Sequence, residues 1–209
     1  MQIIIQAVVL RRIAQEPVTL SLYTERFGRI TVRDISAKKQ WQEAAVGDIC
    51  YATLEQRGKT WFLLGLESVV TYAQSADSAT FFWHHHLLDM YFYYVPLEQP
   101  SSHLFVLLTT LLQIAVGGDI VFKLFMAHFF SLLGYYVPEE VRWYRLLLAQ
   151  LEAHVAVSSS SVAINDAHCD YASLAQLDAW LLSTVSQHDH FQYLKTHQFL
   201  PQLYCTAGV

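Results

Sequence analysis

Residues 20–35 read L-S-L-Y-T-E-R-F-G-R-I-T-V-R-D-I, and their alternation decides the fold. Leu20, Leu22 and Thr24 point one way, and Ser21 and Tyr23 the other. After a turn, Ile30 and Val32 face in while Arg29, Thr31 and Arg33 face out. A period of two with β-branched and aromatic residues predicts two strands. Gly28 closes the turn, where a left-handed residue is usual and glycine has no Cβ to clash. The hairpin therefore lines Arg26, Arg29 and Arg33 along one outward edge.

More strands surround this hairpin. Met1 to Arg12 alternates Ile3, Ile5, Ala7 and Val9 on one face, although Ile4 and Val8 make the other face apolar too. Pro17 to Thr24 and Arg29 to Ile35 form strands two and three, Gly47 to Glu55 strand four and Thr60 to Ser68 strand five. Gln56-Arg57-Gly58-Lys59 is a turn, and Ser36 to Ala45 is a polar connection carrying Lys38, Lys39 and Trp41. Five short strands in about seventy residues leave too many bare edges for an open sheet, and closure into a small barrel removes them. A five-stranded barrel of this size is the OB-fold, whose exposed sheet and loops bind single-stranded nucleic acid in many proteins.

Beyond Tyr72 to Asp77 the β pattern stops. Helical stretches follow: Ser78 to Val95, His103 to Val116 with Ser102 as N-cap, a third capped by Asp119 and ending near Gly134, and a fourth from Pro138 to about Val157. Ser158 to Ser161 is a low-complexity loop, Ser173 caps a fifth helix over Leu174 to Ser186, and a short sixth over Phe191 to Leu200 is stopped by Pro201. The expected fold class is α+β multidomain: an N-terminal five-stranded OB-fold β-barrel over 1–75, then an all-α helical bundle over 76–209.

The 209 residues carry a net charge of −5, which alone argues against nucleic acid. The charge is unevenly spread. Residues 1–70 hold nine Lys/Arg and seven Asp/Glu, whereas 71–209 hold four and eleven. Such asymmetry says more about partners than the total does. Hydrophobic residues make up 54%, enough for a sizeable core. Leu104 to Val116 is too short to span a bilayer, and Lys123 and His128 interrupt the apolar run from Ile120 to Val137, so no membrane segment is expected. Nor does the N-terminus carry a signal-peptide pattern. Cys50, Cys169 and Cys205 lie far apart, form no C-x-x-C, and are expected as free thiols of a reducing, cytoplasmic compartment.

Catalytic and metal chemistry find little support. His84, His85 and His86 point about 100° apart on a helix and cannot converge on one ion. His168-Cys169-Asp170 and His188-Asp189-His190 have no recognised motif around them. Gly117-Gly118-Asp119 lacks the Lys-Ser/Thr of a phosphate loop. No catalytic residue, metal or cofactor is expected.

The candidate site is instead the basic surface of the barrel: Arg11, Arg12, Arg26, Arg29, Arg33, Lys38, Lys39, Arg57 and Lys59, with Trp41 as an exposed aromatic. Aromatic residues interleave with these cations: Tyr23, Phe27, Trp41, Tyr51 and Trp61; the barrel core is the alternative place for each, with Phe27 expected half in it and Trp41, in the polar connection, exposed. Cations that neutralise phosphates, set beside stacking platforms, are what single-strand binding needs.

Three stretches resemble the RecO family of bacterial recombination mediators. Ala7-Val8-Val9-Leu10-Arg11 with Leu22 to Ile30 is similar to the family's first strand and hairpin, and Ala37-Lys38-Lys39 resembles its basic loop. Phe122 to Phe125, running through Phe129 to Tyr135 and on to Pro138, resembles its helix ending in L-L-G-Y. His190-Phe191, Leu194-Lys195-Thr196 and Phe199-Leu200 resemble its terminal element. The resemblance implies an OB-fold with a helical domain. It also implies binding of single- and double-stranded DNA, annealing of complementary strands, and help in loading RecA on DNA coated by single-strand binding protein (SSB). A RecR-like protein and the SSB C-terminal tail are the partners it implies, at the nucleoid. Many members carry a four-cysteine zinc motif after the L-L-G-Y helix; this chain does not. Two other readings stand beside it: a helical protein-interaction module with the barrel as scaffold, and an enzyme using Cys169 or the histidines.

Overall fold

A computed structural model describes residues 2–13, 18–35, 45–70, 78–113, 119–145, 149 and 171–204. Strands β1 (Gln2–Ile13), β2 (Thr19–Thr24), β3 (Gly28–Asp34), β4 (Ile49–Arg57) and β5 (Thr60–Val70) close into a barrel in the order β1-β2-β3-β5-β4. The order is consistent with the expected OB-fold. All neighbours are antiparallel except β3 and β5, which pair in parallel over Val32–Asp34 and Trp61–Leu63. A register shift between Val9 and Arg11 lets β1 serve two partners, β4 through its first half and β2 through its second. Such a bulge bends a strand and raises its twist, which a small closed sheet requires.

The inward faces make one apolar core. Val9, Leu20, Leu22, Ile30, Val32, Leu54 and Leu63 are its buried branched members, joined by Trp61. The inward residues of β2 and β3 fall where the alternation predicts. The outward residues of β2 do not follow it: Ser21 and Tyr23 are as buried as Leu20 and Leu22. Covering residues supply the reason. The chain divides into two compact units, one of Met1–Gln74 with Leu87–Gln113, the other of Ser75–His86 with Ile114–Val209. The first unit therefore contains the last two turns of α1 (Ser78–Tyr94) and all of α2 (Ser102–Gln113), besides the five strands. Tyr23 meets Tyr91 edge-on at 5.2 Å between ring centroids and Phe105 at 6.2 Å. Tyr91 in turn donates its hydroxyl to the Leu104 carbonyl at 2.7 Å.

The connection between these helices docks on the β2–β3 turn. Thr24 stitches that turn by accepting from Phe27 N–H and donating to the Gly28 carbonyl, both at 3.1 Å. Gly28 has φ +66°, and a Cβ there would lie 2.2 Å from the Gln99 carbonyl oxygen. Glycine is thus required twice, by backbone conformation and by close approach. Glu98 donates its N–H to the Arg29 carbonyl at 2.9 Å and itself adopts a φ of 55°. Ser101, rather than Ser102, caps α2: its hydroxyl accepts from Leu104 N–H at 3.3 Å. An N-cap precedes the first helical residue and bonds the second or third, and Ser102 is itself the first.

The second unit contains α3 (Asp119–Leu132), α4 (Tyr171–Ser186), α5 (Leu200–Tyr204) and the first turns of α1. Gly134 ends α3 at φ +86°, with Tyr135 N–H reaching the Phe130 carbonyl and Gly134 N–H reaching Ser131. This is the Schellman pattern that satisfies the last carbonyls of a helix. Lys123, on α3, is fully buried, its ammonium 2.8 and 2.9 Å from the two carboxylate oxygens of Asp178 on α4. Asp119 accepts a hydrogen bond from the Trp83 indole at 2.8 Å, and Trp83 stacks on Phe122 at 5.6 Å.

Three expectations about helices change. Pro138 precedes a short 3-10 turn, Glu139–Val141, ahead of the expected helix, whose described residues Tyr144, Arg145 and Ala149 are helical; most of its predicted extent, and the 158–161 loop, lie outside the described residues. Helix α4 starts at Tyr171, ahead of Ser173. Pro201 sits in the first turn of α5 instead of stopping a helix, because proline lacks only an N–H that has no partner there. Two 3-10 turns, Phe191–Tyr193 and His197–Phe199, occupy the segment before it. No helix among the described residues is long and apolar enough to cross a membrane.

Candidate nucleic-acid interface

The ten candidate residues divide into three groups. Lys38, Lys39 and Trp41 lie outside the described residues. Arg11 and Arg29 face the helical part of their own unit. The Arg11 guanidinium sits 4.7 Å from the Phe92 ring centroid and donates to the Tyr93 hydroxyl at 2.8 Å. Arg29 sits 5.2 Å from the same ring and donates to the Phe92 carbonyl. Arginine stacks readily on aromatic faces, and its fork can serve a carbonyl at the same time. Burial pulls the Arg29 guanidinium below the usual arginine range. Arg11 and Arg29 thus bracket Phe92 and tie α1 to the barrel. The outward edge expected for Arg26, Arg29 and Arg33 is interrupted at its middle member.

The third group is exposed. Arg26 stands at the β2–β3 turn, 5.4 Å from the Phe27 ring. Arg12 is exposed near the end of β1. Arg33, Arg57 and Lys59 come together around the β4–β5 hairpin. Arg33 is in register with Phe62 of β5, and Phe62 with Glu55 of β4, so the three share a row across the outer sheet. The Arg57 guanidinium lies 5.1 Å from the Phe62 centroid and bonds the Glu55 carboxylate at 2.6 Å. That bond holds the Glu55 carboxyl below the usual carboxylate range and raises Arg57. Lys59 follows in the turn, beside Gly58 at φ +62° with nothing within 4 Å of a Cβ there.

The interleaved aromatics also sort themselves. Tyr23 and Trp61 are buried and offer no ring face to a ligand. Phe27 is half-buried, 4.8 Å from Trp61. Tyr51 is 46% exposed on β4, in register with Gln6 and Glu67. Phe62 and Phe92 are the cation partners that the sequence did not single out. On β5 both faces are apolar, so alternation alone does not say whether Trp61 or Phe62 faces inward. The strand order does, by setting Trp61 opposite the inward Val32.

The histidines and cysteines have other surroundings. His86 is buried, with Nδ1 2.9 Å from the Thr196 hydroxyl and Nε2 2.6 Å from the Tyr204 hydroxyl. Burial pulls it down to about 3, so it is neutral at neutral pH. His84 is buried edge-on against Phe122 at 5.4 Å. His188 and His190 lie 5.2 Å apart, and partial burial with the His190 charge lowers His188. Cys50 is a buried free thiol pushed up to about 12 by burial and by Asp48. Cys169 and Cys205 lie outside the described residues. Among the described residues, no group of three or more His, Cys, Asp or Glu side chains is placed to hold a metal ion.

The arrangement at the β4–β5 hairpin exposes three cations, Arg33, Arg57 and Lys59, that can neutralise phosphate oxygens. Comparison of the chain with protein-family models and with curated proteins finds no match.

Proposed function

We propose that the barrel is an OB-fold and that the protein binds nucleic acid without catalysing a reaction. One observation carries this reading: the closed β1-β2-β3-β5-β4 barrel presents Arg33, Arg57 and Lys59 around its β4–β5 loop, one of the loops by which OB barrels hold oligonucleotides. Cations in this position bind the phosphate backbone and give no base-specific readout. On the RecO resemblance, the protein is a DNA repair and recombination mediator. It would bind single- and double-stranded DNA, anneal complementary strands and assist RecA loading on SSB-coated DNA. The helical part would be a bundle, and a RecR-like protein and the SSB tail its partners.

Fluorescence anisotropy of a labelled single strand over a salt series tests the binding. Affinity should fall with salt, by about 0.7 in log–log slope for each phosphate neutralised. Strand annealing on SSB-coated DNA tests the mediator role.

A second reading has its own support. Arg11 and Arg29 are engaged within the first unit, and the helical segment covers the outer side of β2 at Tyr23. That leaves fewer cations for a ligand and favours a protein-interaction module with the barrel as scaffold. Salt-independent or absent oligonucleotide binding would select it.

A further inference from the structure

The row Arg33–Phe62–Glu55 has a chemistry that the phosphate-binding role does not use. Phe62 is the ring on this row, half-buried on a sheet face between two cations. Arg57 covers that ring while Glu55 holds Arg57 by a 2.6 Å ion pair. The pair is open to solvent, with Arg57 57% exposed and Glu55 28%. Exposed pairs of this kind contribute little stability. Glu55 is therefore a weak internal competitor for the guanidinium. A phosphate oxygen offers the same charge-assisted bond.

We propose that Phe62 is a base-stacking platform selective for single strands, and that a ligand phosphate draws Arg57 from Glu55 to open it. This inference rests on the nucleic-acid reading above. In a duplex each base is already stacked on its neighbours, and its flat faces are not offered to a sheet. In a single strand the bases are free to turn onto an aromatic ring. Exchange of Glu55 for phosphate creates no net bond. It moves Arg57 from a carboxylate on its own strand to the backbone of the ligand. The site is thus closed to stacking while empty, and binding of the backbone uncovers the ring.

The experiment uses the full chain and a fifteen-nucleotide oligothymidylate, with a duplex of equal length for comparison. Glu55→Gln should tighten single-strand binding about two- to fivefold, because the competitor is gone. Phe62→Leu keeps an apolar side chain without a ring, and should weaken single-strand binding about tenfold while leaving duplex affinity within about twofold. Phe62→Trp supplies a direct readout: its added emission should be quenched by the oligonucleotide and not by the duplex. Wild-type affinity in Phe62→Leu without quenching in Phe62→Trp overturns the inference. If Arg33→Glu still weakens binding in that case, the phosphate-binding reading stands without it. If the wild-type protein binds neither oligonucleotide, both readings fall.

Discussion

Two hairpin turns of the barrel hold a glycine in the left-handed region, and they differ in what stands over them. Gly28, between β2 and β3, has φ +66° and the Gln99 backbone pressed against it. Gly58, between β4 and β5, has φ +62° and nothing within 4 Å. The cation that follows each glycine shares its situation, although Arg26, within the first turn, is exposed. Arg29 beside Gly28 is spent on Phe92, whereas Lys59 beside Gly58 is exposed. One turn is a packing surface, and the other, at the same end of the barrel because β3 and β5 run parallel, is open to a ligand. Arg29 and Arg33 stand on the same strand and the same outward face, so position on the strand does not distinguish them. Their covering neighbours do.

The contrast can be broken by substitution. Gly28→Ala has the largest expected effect. The left-handed conformation and the Gln99 backbone together should cost about 3–4 kcal/mol, read by chemical denaturation. A loss below about 1 kcal/mol would mean that the segment after α1 does not press on this turn. Arg29→Ala comes next, at about 2 kcal/mol, because it removes a charge-assisted hydrogen bond and the stacking on Phe92 at a partly buried site. Its effect on oligonucleotide binding should be small in any protein that remains folded. Gly58→Ala should cost only the conformational term, about 1 kcal/mol. Arg33→Ala should change stability by less than about 0.5 kcal/mol, yet lower the salt slope of single-strand binding by about 0.7. If Arg29→Ala and Arg33→Ala swapped these outcomes, the assignment of the covered and open sites would be reversed.

The strands were legible because β2 and β3 alternate cleanly, and because Gly28 and Gly58 sit where turns require them. The burial of Ser21 and Tyr23 was not. The groups that cover this face come from Tyr91 and Phe105, about seventy residues or more along the chain, and no local period encodes them. The same distance hid the roles of Arg11 and Arg29, whose common partner is Phe92. Phe62 was hidden for another reason: β5 is apolar on both faces, so its phase needs the partner strands. The Lys123–Asp178 pair joins residues on two helices, and nothing near Lys123 in sequence announces a buried carboxylate. Ser101 and Ser102 are chemically equal caps, and only the path of the backbone chooses between them.

The covering of Tyr23 also has a consequence in time. A ribosome delivers all five strands once Val70 has emerged, but Phe105 follows roughly thirty-five residues later. At about 5–20 residues per second, the new barrel waits for several seconds with the outer side of β2 bare. During that interval its tyrosine ring and the Gly28 turn are open to any neighbouring chain. Chaperones that hold exposed aromatic side chains should therefore engage the chain between the last strand and the second helix.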